Sequence, residues 1–344
     1  MLINPYIYAP TTASEFKITV DTTQTGSATD TFVLQLHSGT TSMTVSWGDG
    51  NSDVITSYNQ AELTHVYASS GEYQISCDGA FAGLLYQGGD KLKISSVDNW
   101  GANAFTLMNY AFQGCANMVI KATDEPNFTG CTNFTYMLQG CTSLNSAINW
   151  TTTNNVTNFS NFMNGCTGFN SSISLNTDSA TNMTQMFFGC TIFNSSVTFS
   201  NTINVGSMFQ MFMSCSVFNQ PLTFNCTSLT TIYRMFLYAF DFNSVLTFTR
   251  TANLQNAFQA FYSTSFDQDI SYWDIGGLTD ATGMLQNSSF STTNYDLLLV
   301  AWNAFIQVSV PFHAGTAQYS AGAPATAHAS MISRGWTITD GGPV

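Results

Sequence analysis

Charge is scarce in this chain. Only 8% of the 344 residues are charged, and acidic side chains outnumber basic ones 20 to 7. Between residues 102 and 290 the basic residues are Lys121, Arg234 and Arg250 alone. A nucleic-acid surface needs a stripe of cations to displace phosphate counterions, so no nucleic-acid partner is expected. Long apolar runs are missing too. The nearest approach, Leu297-Leu298-Leu299-Val300-Ala301-Trp302, falls well short of the roughly 18 residues of a membrane span, and no membrane insertion is expected. Residues 1–10 lack a basic start and are interrupted by Pro5 and Pro10, so no secretory signal is expected there.

Motifs of catalysis are equally thin. His37, His65, His313 and His328 lie far apart, none at metal-ligand spacing from another His, Cys or carboxylate. There is no Cys-x-x-Cys pair, no phosphate-binding Gly-Lys-Ser/Thr loop and no Gly-x-Ser-x-Gly nucleophile elbow. No cofactor is expected. The densest acidic group, Asp267, Asp269, Asp274 and Asp280, would suit paired-carboxylate hydrolysis or cation binding. A solvated acidic face is the simpler reading, and the chain is expected to be non-enzymatic, with no catalytic residues.

What is present is a repeat. The hydrophobic content of 44% suffices for a packed core, and with so little charge the wetted surface must be Thr, Ser, Asn and Gln. The phrases Phe162-Met163-Asn164-Gly165-Cys166, Met186-Phe187-Phe188-Gly189-Cys190 and Met211-Phe212-Met213-Ser214-Cys215 share one register with earlier and later copies. Cys115, Cys141, Cys166, Cys190 and Cys215 recur every 24 to 26 residues. Three residues after each of these Cys comes an apolar anchor, and from the second repeat Asn follows it, as in Leu144-Asn145, Phe169-Asn170, Phe193-Asn194 and Phe218-Asn219; Phe242-Asn243 continues the series three residues after Ala239. Side chains at one phase of a solenoid point the same way, so the cysteines are expected to be free and buried rather than paired. The Asn phase is expected to form an interior ladder. A helical turn is predicted over Asn182–Phe187, where Met183, Met186 and Phe187 fall at i, i+3 and i+4. Strands are predicted over Ser196–Ser200 and Pro221–Asn225. No single turn can bury its own apolar face, so the array is stable only as a stack.

The flanks differ. Phe16–Val20, Phe32–Leu36, Met43–Trp47 and Tyr73–Cys77 alternate with period two between Gly- and Ser-rich turns, the pattern of a β-sandwich. After the array, Tyr295–Phe305 and Pro324–Gly335 read as helices and Trp336–Thr339 as a last strand.

Two family resemblances attach to these residues. Trp47, Asp49, Gly50, His65, Tyr67, Gly71 and Tyr73 resemble the signature of polycystic-kidney-disease-type (PKD-like) Ig-like domains. Asp49 and Asp53 are candidate calcium ligands there, although a tight Asp49-Gly50 turn over a Trp47–Tyr67 core is the simpler reading. The array resembles the repeats of BspA-like leucine-rich-repeat surface proteins, whose Asn-Met-x-x-Met-Phe-x-x-Cys-x-x-Phe-Asn unit is matched over Asn182–Asn194. The expected fold is mainly β with short helices: an extended arm at 1–13, a PKD-like sandwich at 14–98, a leucine-rich-repeat-like parallel β solenoid at 99–292 and a cap at 293–344. The resemblance implies surface attachment. The expected role is a virion surface protein, docked on a capsid or tail protein through the arm or sandwich and presenting the solenoid to host-surface glycans or proteins. The alternative is a bacterial cell-surface adhesin; a polysaccharide-acting enzyme ranks below both.

Overall fold

The computed structural model describes residues 15–344, so the arm expected at 1–13 lies outside the described residues. Strands β1 (Phe16–Asp21), β2 (Thr31–Val33), β3 (Thr41–Ser46), β4 (Ser52–Ile55), β5 (Thr64–Val66), β6 (Glu72–Phe81) and β7 (Ile94–Asn99) build the N-terminal part. Period-two alternation dictates their faces: Phe16, Ile18 and Val20 of β1 and Met43 and Val45 of β3 point inward. With β8 (Val119–Ile120), six strands order as β4-β3-β6-β1-β7-β8. The second layer of the sandwich is only a ribbon, β2 paired with β5. The strand expected through Leu36 stops at Val33. Beyond it Leu34 N–H donates to Leu63 O (2.9 Å) and Leu36 makes only an isolated bridge to Leu84.

β7 joins the two halves. It runs antiparallel to β1 on one side and parallel to β8 on the other, so the sheet changes type at this strand and leads into the solenoid. The hydrophobic core runs without a break from Phe16 to Trp336.

About ten coils follow between residues 96 and 339. β9 (Ile148–Trp150), β10 (Ile173–Leu175) and β11 (Val197–Phe199) stack parallel, as do β12 (Leu222–Phe224) and β13 (Leu246–Phe248). A second parallel row passes through Asn158, Asn182, Ser207, Thr231, Asn256 and Asp280, one residue per coil. Aromatic rings fill the space between. Phe187, Phe212, Phe236 and Phe261 form a continuous stack at 5.1–5.6 Å, and Phe193, Phe218, Phe242 and Phe266 a second one at 5.4–6.1 Å.

The helical turn predicted at 182–187 does not form. Gln185 sits at φ 54°, a left-handed conformation that stops a right-handed helix after one residue. Alternate N–H groups point to opposite partners instead. Those of Met183, Gln185, Phe187 and Gly189 donate to Ser207, Phe209, Met211 and Met213 of the next coil, while those of Met186, Phe188 and Cys190 close turns three residues back. Every backbone donor is thus paired, and half of the bonds tie one coil to its neighbour. Met183, Met186 and Phe187 still point inward, which is why their spacing imitates a helix.

The cap consists of α1 (Thr292–Trp302), β14 (Pro311–His313), α2 (Ala323–Ser333) and β15 (Thr337–Thr339). Ser291 caps α1 by accepting from Asn294 N–H, and Tyr295, Leu298, Leu299 and Trp302 are buried against the last coil. β14 pairs parallel with β15, continuing the stack, and Pro324 sits in the first turn of α2.

Candidate functional site

Most residues of the repeat are committed to the frame. All eight cysteines are free and buried. The Cys166, Cys190 and Cys215 thiols donate to the carbonyls of Leu138, Met163 and Phe187 at 2.9–3.1 Å, one coil back. Burial pushes the Cys166 thiol up to about 12 and raises Cys141 and Cys190 well above the ordinary range. Nucleophilic or metal-binding thiolates are therefore disfavoured at these positions. Cys115 is equally buried, its thiol raised for the same reason.

The Asn phase forms a ladder along the coils, but on the surface rather than in the interior. Asn145 Oδ1 accepts from Asn170 N–H, Asn170 from Asn194, Asn194 from Asn219 and Asn219 from Asn243, each at 2.8–2.9 Å. The series continues through Asp267, whose N–H donates to Asn243 and whose carboxylate accepts from Ser291 N–H. A second polar phase went unnoticed in the sequence. Asn158, Asn182, Asn256 and Asp280 each accept, through the side chain, from the N–H two residues on (2.9 Å), and Ser207 and Thr231 do the same. The acidic group is explained in the same way. Asp269 and Asp274 receive N–H bonds from Ser271 and Gly276, so Asp269, Asp274 and Asp280 close three different turns while Asp267 is a rung of the ladder.

In the N-terminal part the signature residues come together as one cluster. Trp47 stacks flat on His65 (4.8 Å, 4°), His65 meets Tyr67 edge-on, and Tyr67 stacks on Tyr73 at 3.7 Å. Tyr67 Oη donates to Trp47 O. Asp49 receives His65 Nε2 (2.9 Å) and Asn51 N–H (3.0 Å), and Asp53 accepts from the Trp47 indole N–H at 2.8 Å. Burial works to raise the Asp49 carboxyl, but the bonds from His65 and Asn51 outweigh it and hold it below the usual value. Gly50 turns at φ 94°, a conformation suited to glycine, and Gly71 N–H donates to the Thr22 hydroxyl. Both proposed calcium ligands thus have protein partners. Among the described residues no group of three or more His, Cys, Asp or Glu side chains is placed to hold a metal.

Two surface features break the repeat and were not singled out from sequence. Phe209, Tyr233 and Phe258 stack on successive coils at 4.8 and 5.0 Å, with the Arg234 guanidinium 4.9 Å from the Tyr233 ring. Their facing sides cover one another, and all three rings are only partly exposed. The other is the pair Tyr238 and Phe240, 43% and 53% exposed. They border a shallow cleft of about 390 Å³ with Thr191, Ser214 and Ser216. Alignment of the repeats by their Cys phase would have found this pair, since Tyr238 falls where Gly114, Gly140, Gly165 and Gly189 stand.

This is the architecture of a β-solenoid repeat protein with leucine-rich-repeat-like coils. A profile of the family described as "Mycoplasma protein of unknown function, DUF285" matches residues 106–223 and, overlapping them, 195–302, more than half of the chain. The chain belongs to that family. No curated protein and no solved structure matches it.

Proposed function

We propose that this chain is a non-enzymatic surface protein, a bacterial cell-surface adhesin of the BspA-like type, whose solenoid is a display scaffold for attachment to glycans or proteins. The observation that carries this reading is the division of labour along each coil. The Cys, Phe and Asn phases are consumed by core packing and coil-to-coil hydrogen bonds, while the outer face is sparsely charged, hydroxyl-rich and dotted with exposed aromatic rings. Such a surface suits recognition by stacking and hydrogen bonding and offers no charge for steering a polyanion.

The family profile bears the name of a Mycoplasma protein, which favours the bacterial surface over a virion. The N-terminal sheets, read as a PKD-like module, would then space the solenoid from its anchoring point. Among the described residues no helix is long and apolar enough to cross a membrane.

The test is to label intact cells of the producing organism with antibody to the solenoid and, in parallel, to probe purified phage particles by mass spectrometry. Surface labelling, with binding of the purified chain to host cells, is the expected result. Recovery in particles without cell labelling would replace the adhesin with a capsid decoration, head fibre or tail protein. Release of sugar product from a polysaccharide by the purified chain would overturn the non-enzymatic reading.

A further inference from the structure

We propose that Tyr238 and Phe240, with Thr191, Ser214 and Ser216, form a binding subsite for a neutral sugar ring. The inference rests on the scaffold reading above and gives it a location and a ligand class.

The coil at residues 236–242 departs from the repeat in ways that weaken the frame. Tyr238 adopts φ 63° at a position that is glycine in four coils and Ser214 (φ 62°), Ser263 (φ 55°) and Asn287 (φ 59°) in three others, so it is the one aromatic residue at this phase. A side chain with a Cβ is strained in this left-handed region, and here the ring is left 43% exposed rather than packed into the core. Phe240 stands where the preceding coils have Thr142, Thr167, Thr191 and Ser216. Two of these hydroxyls bond one coil back, Thr142 to Ala116 O at 3.2 Å and Ser216 to Thr191 O at 2.9 Å. Phe240 gives up that bond and exposes a ring instead. Apart from the Tyr238–Tyr262 edge contact neither ring adds to the core, so both are explained by what the rings face.

They face a cleft lined by two rings and three hydroxyls and by no charged side chain. Its volume of about 390 Å³ lies within the range of small-ligand sites. The Tyr238 and Phe240 rings stand 6.0 Å apart and tilted by 40°, so they do not cover each other as the Phe209–Tyr233–Phe258 stack does. Tyr262 abuts Tyr238 edge-on at 5.9 Å and helps to fix its plane. A pyranose has an apolar C–H face for one ring and a rim of hydroxyls for Thr191, Ser214 and Ser216. An anionic sugar or a nucleotide would meet no counter-charge in the lining. A peptide is disfavoured for a separate reason. The backbone here is already paired between coils, with Gly189, Ser214 and Tyr238 N–H donating to Met213, Leu237 and Tyr262, so no strand edge is open to it. Ile192 and Val217 are exposed on the two preceding coils, one position beyond the phase of Phe240 and in phase with Asp241, which gives a glycan running along the solenoid axis further apolar contacts beyond the cleft.

The test titrates the full chain with neutral hexasaccharides of glucose, mannose, galactose and N-acetylglucosamine, and with a uronic-acid hexasaccharide as charged control, by calorimetry. The double variant Tyr238→Gly/Phe240→Thr restores the repeat's own residues. It is expected to melt no lower than the parent while binding at least tenfold more weakly. Binding of a neutral hexasaccharide by the parent and its loss in the variant support the subsite. Equal binding by a folded variant, or preference for the uronic-acid sugar, overturns it. A parent that adheres to host cells but binds none of the sugars overturns the sugar assignment and leaves the scaffold standing; one that adheres to nothing overturns the scaffold reading as well.

Discussion

Lys93 and Asn219 both satisfy backbone groups in loops, but by opposite means. Lys93 is completely buried, and its ammonium donates to Ser27 O, Ser27 Oγ, Ala28 O and Thr31 O at 2.8–3.1 Å. Asp90, also buried, accepts from Ser27 N–H, Ser27 Oγ and Val33 N–H at 2.6–2.8 Å and faces the ammonium at 3.9 Å. This pair closes the loop between β1 and β2, and among the described residues no second buried Lys–Asp pair repeats it. Asn219 is a neutral, exposed rung whose job is also done by Asn145, Asn170, Asn194 and Asn243. The N-terminal sheets therefore depend on unique, desolvated contacts, and the solenoid on many weak, interchangeable ones. Damage should spread through the first and stay local in the second.

The sharpest way to break this contrast is Lys93→Ala, which leaves the Asp90 carboxylate buried beside empty space. Loss of one partner of a buried pair costs about 3–5 kcal/mol, so the N-terminal sheets are expected to unfold at much lower denaturant, as followed by Trp47 fluorescence. Replacing both residues by apolar ones, Asp90→Leu with Lys93→Met, should cost less than Lys93→Ala alone; a larger cost would show that the hydrogen bonds, not the charge, dominate. Next comes Phe212→Ala in the solenoid. The ring stacks on Phe187, Phe218 and Phe236, and its removal is expected to cost about 3 kcal/mol, near the low end for Phe because the flanking coils can partly close the void. Hydrogen exchange should show faster opening in the neighbouring coils and unchanged protection in β1 and β6.

A smaller effect is expected at the rungs. Asn219→Ala removes the acceptor of Asn243 N–H, a loss of about 1 kcal/mol for an exposed hydrogen bond. Asn219→Asp keeps an acceptor, as Asp267 does naturally in the same ladder, and should restore most of that loss in chemical denaturation. Failure of Asp to restore it would mean that the side-chain N–H₂ group matters too.

The same contrast explains what could be read in the sequence. A periodic frame repeats its evidence: the Cys phase, the Phe anchors and the strands at 197–199 and 222–224 were legible because each was written several times. The turn at 182–187 was misread because inward Met183, Met186 and Phe187 have helical spacing, while the left-handed Gln185 that excludes a helix carries no mark in its residue type. The Asn ladder was legible as a ladder but not as an exposed one, because period alone does not say which phase faces water. Lys93 and Asp90 occur once, so no pattern announced them. Tyr238 and Phe240 depart from the repeat, so no periodicity marks them.

The mildest test concerns pH and again separates the two regions. Asp49 is the carboxylate that ties the Trp47–His65–Tyr67–Tyr73 cluster to its turn, and it titrates below the ordinary carboxylate value when folded. A depressed folded pKa means that the unfolded chain takes up the proton first. The stability due to this group is therefore fully present above the unfolded value of about 4 and is lost as pH falls through the folded one. Acidification from pH 6 to pH 3 should lower the melting temperature reported by Trp47 more in the parent than in Asp49→Asn, which keeps the shape but cannot ionise. Near pH 6 the variant should be the less stable of the two, and the gap should close on the acid side. Parallel melting curves for parent and variant across the whole range would show that the His65 contact contributes no pH-dependent stability. The ionisation of Asp49 would then add nothing to the cluster, and the Asn51 and His65 bonds would be as replaceable there as the Asn rungs are in the solenoid.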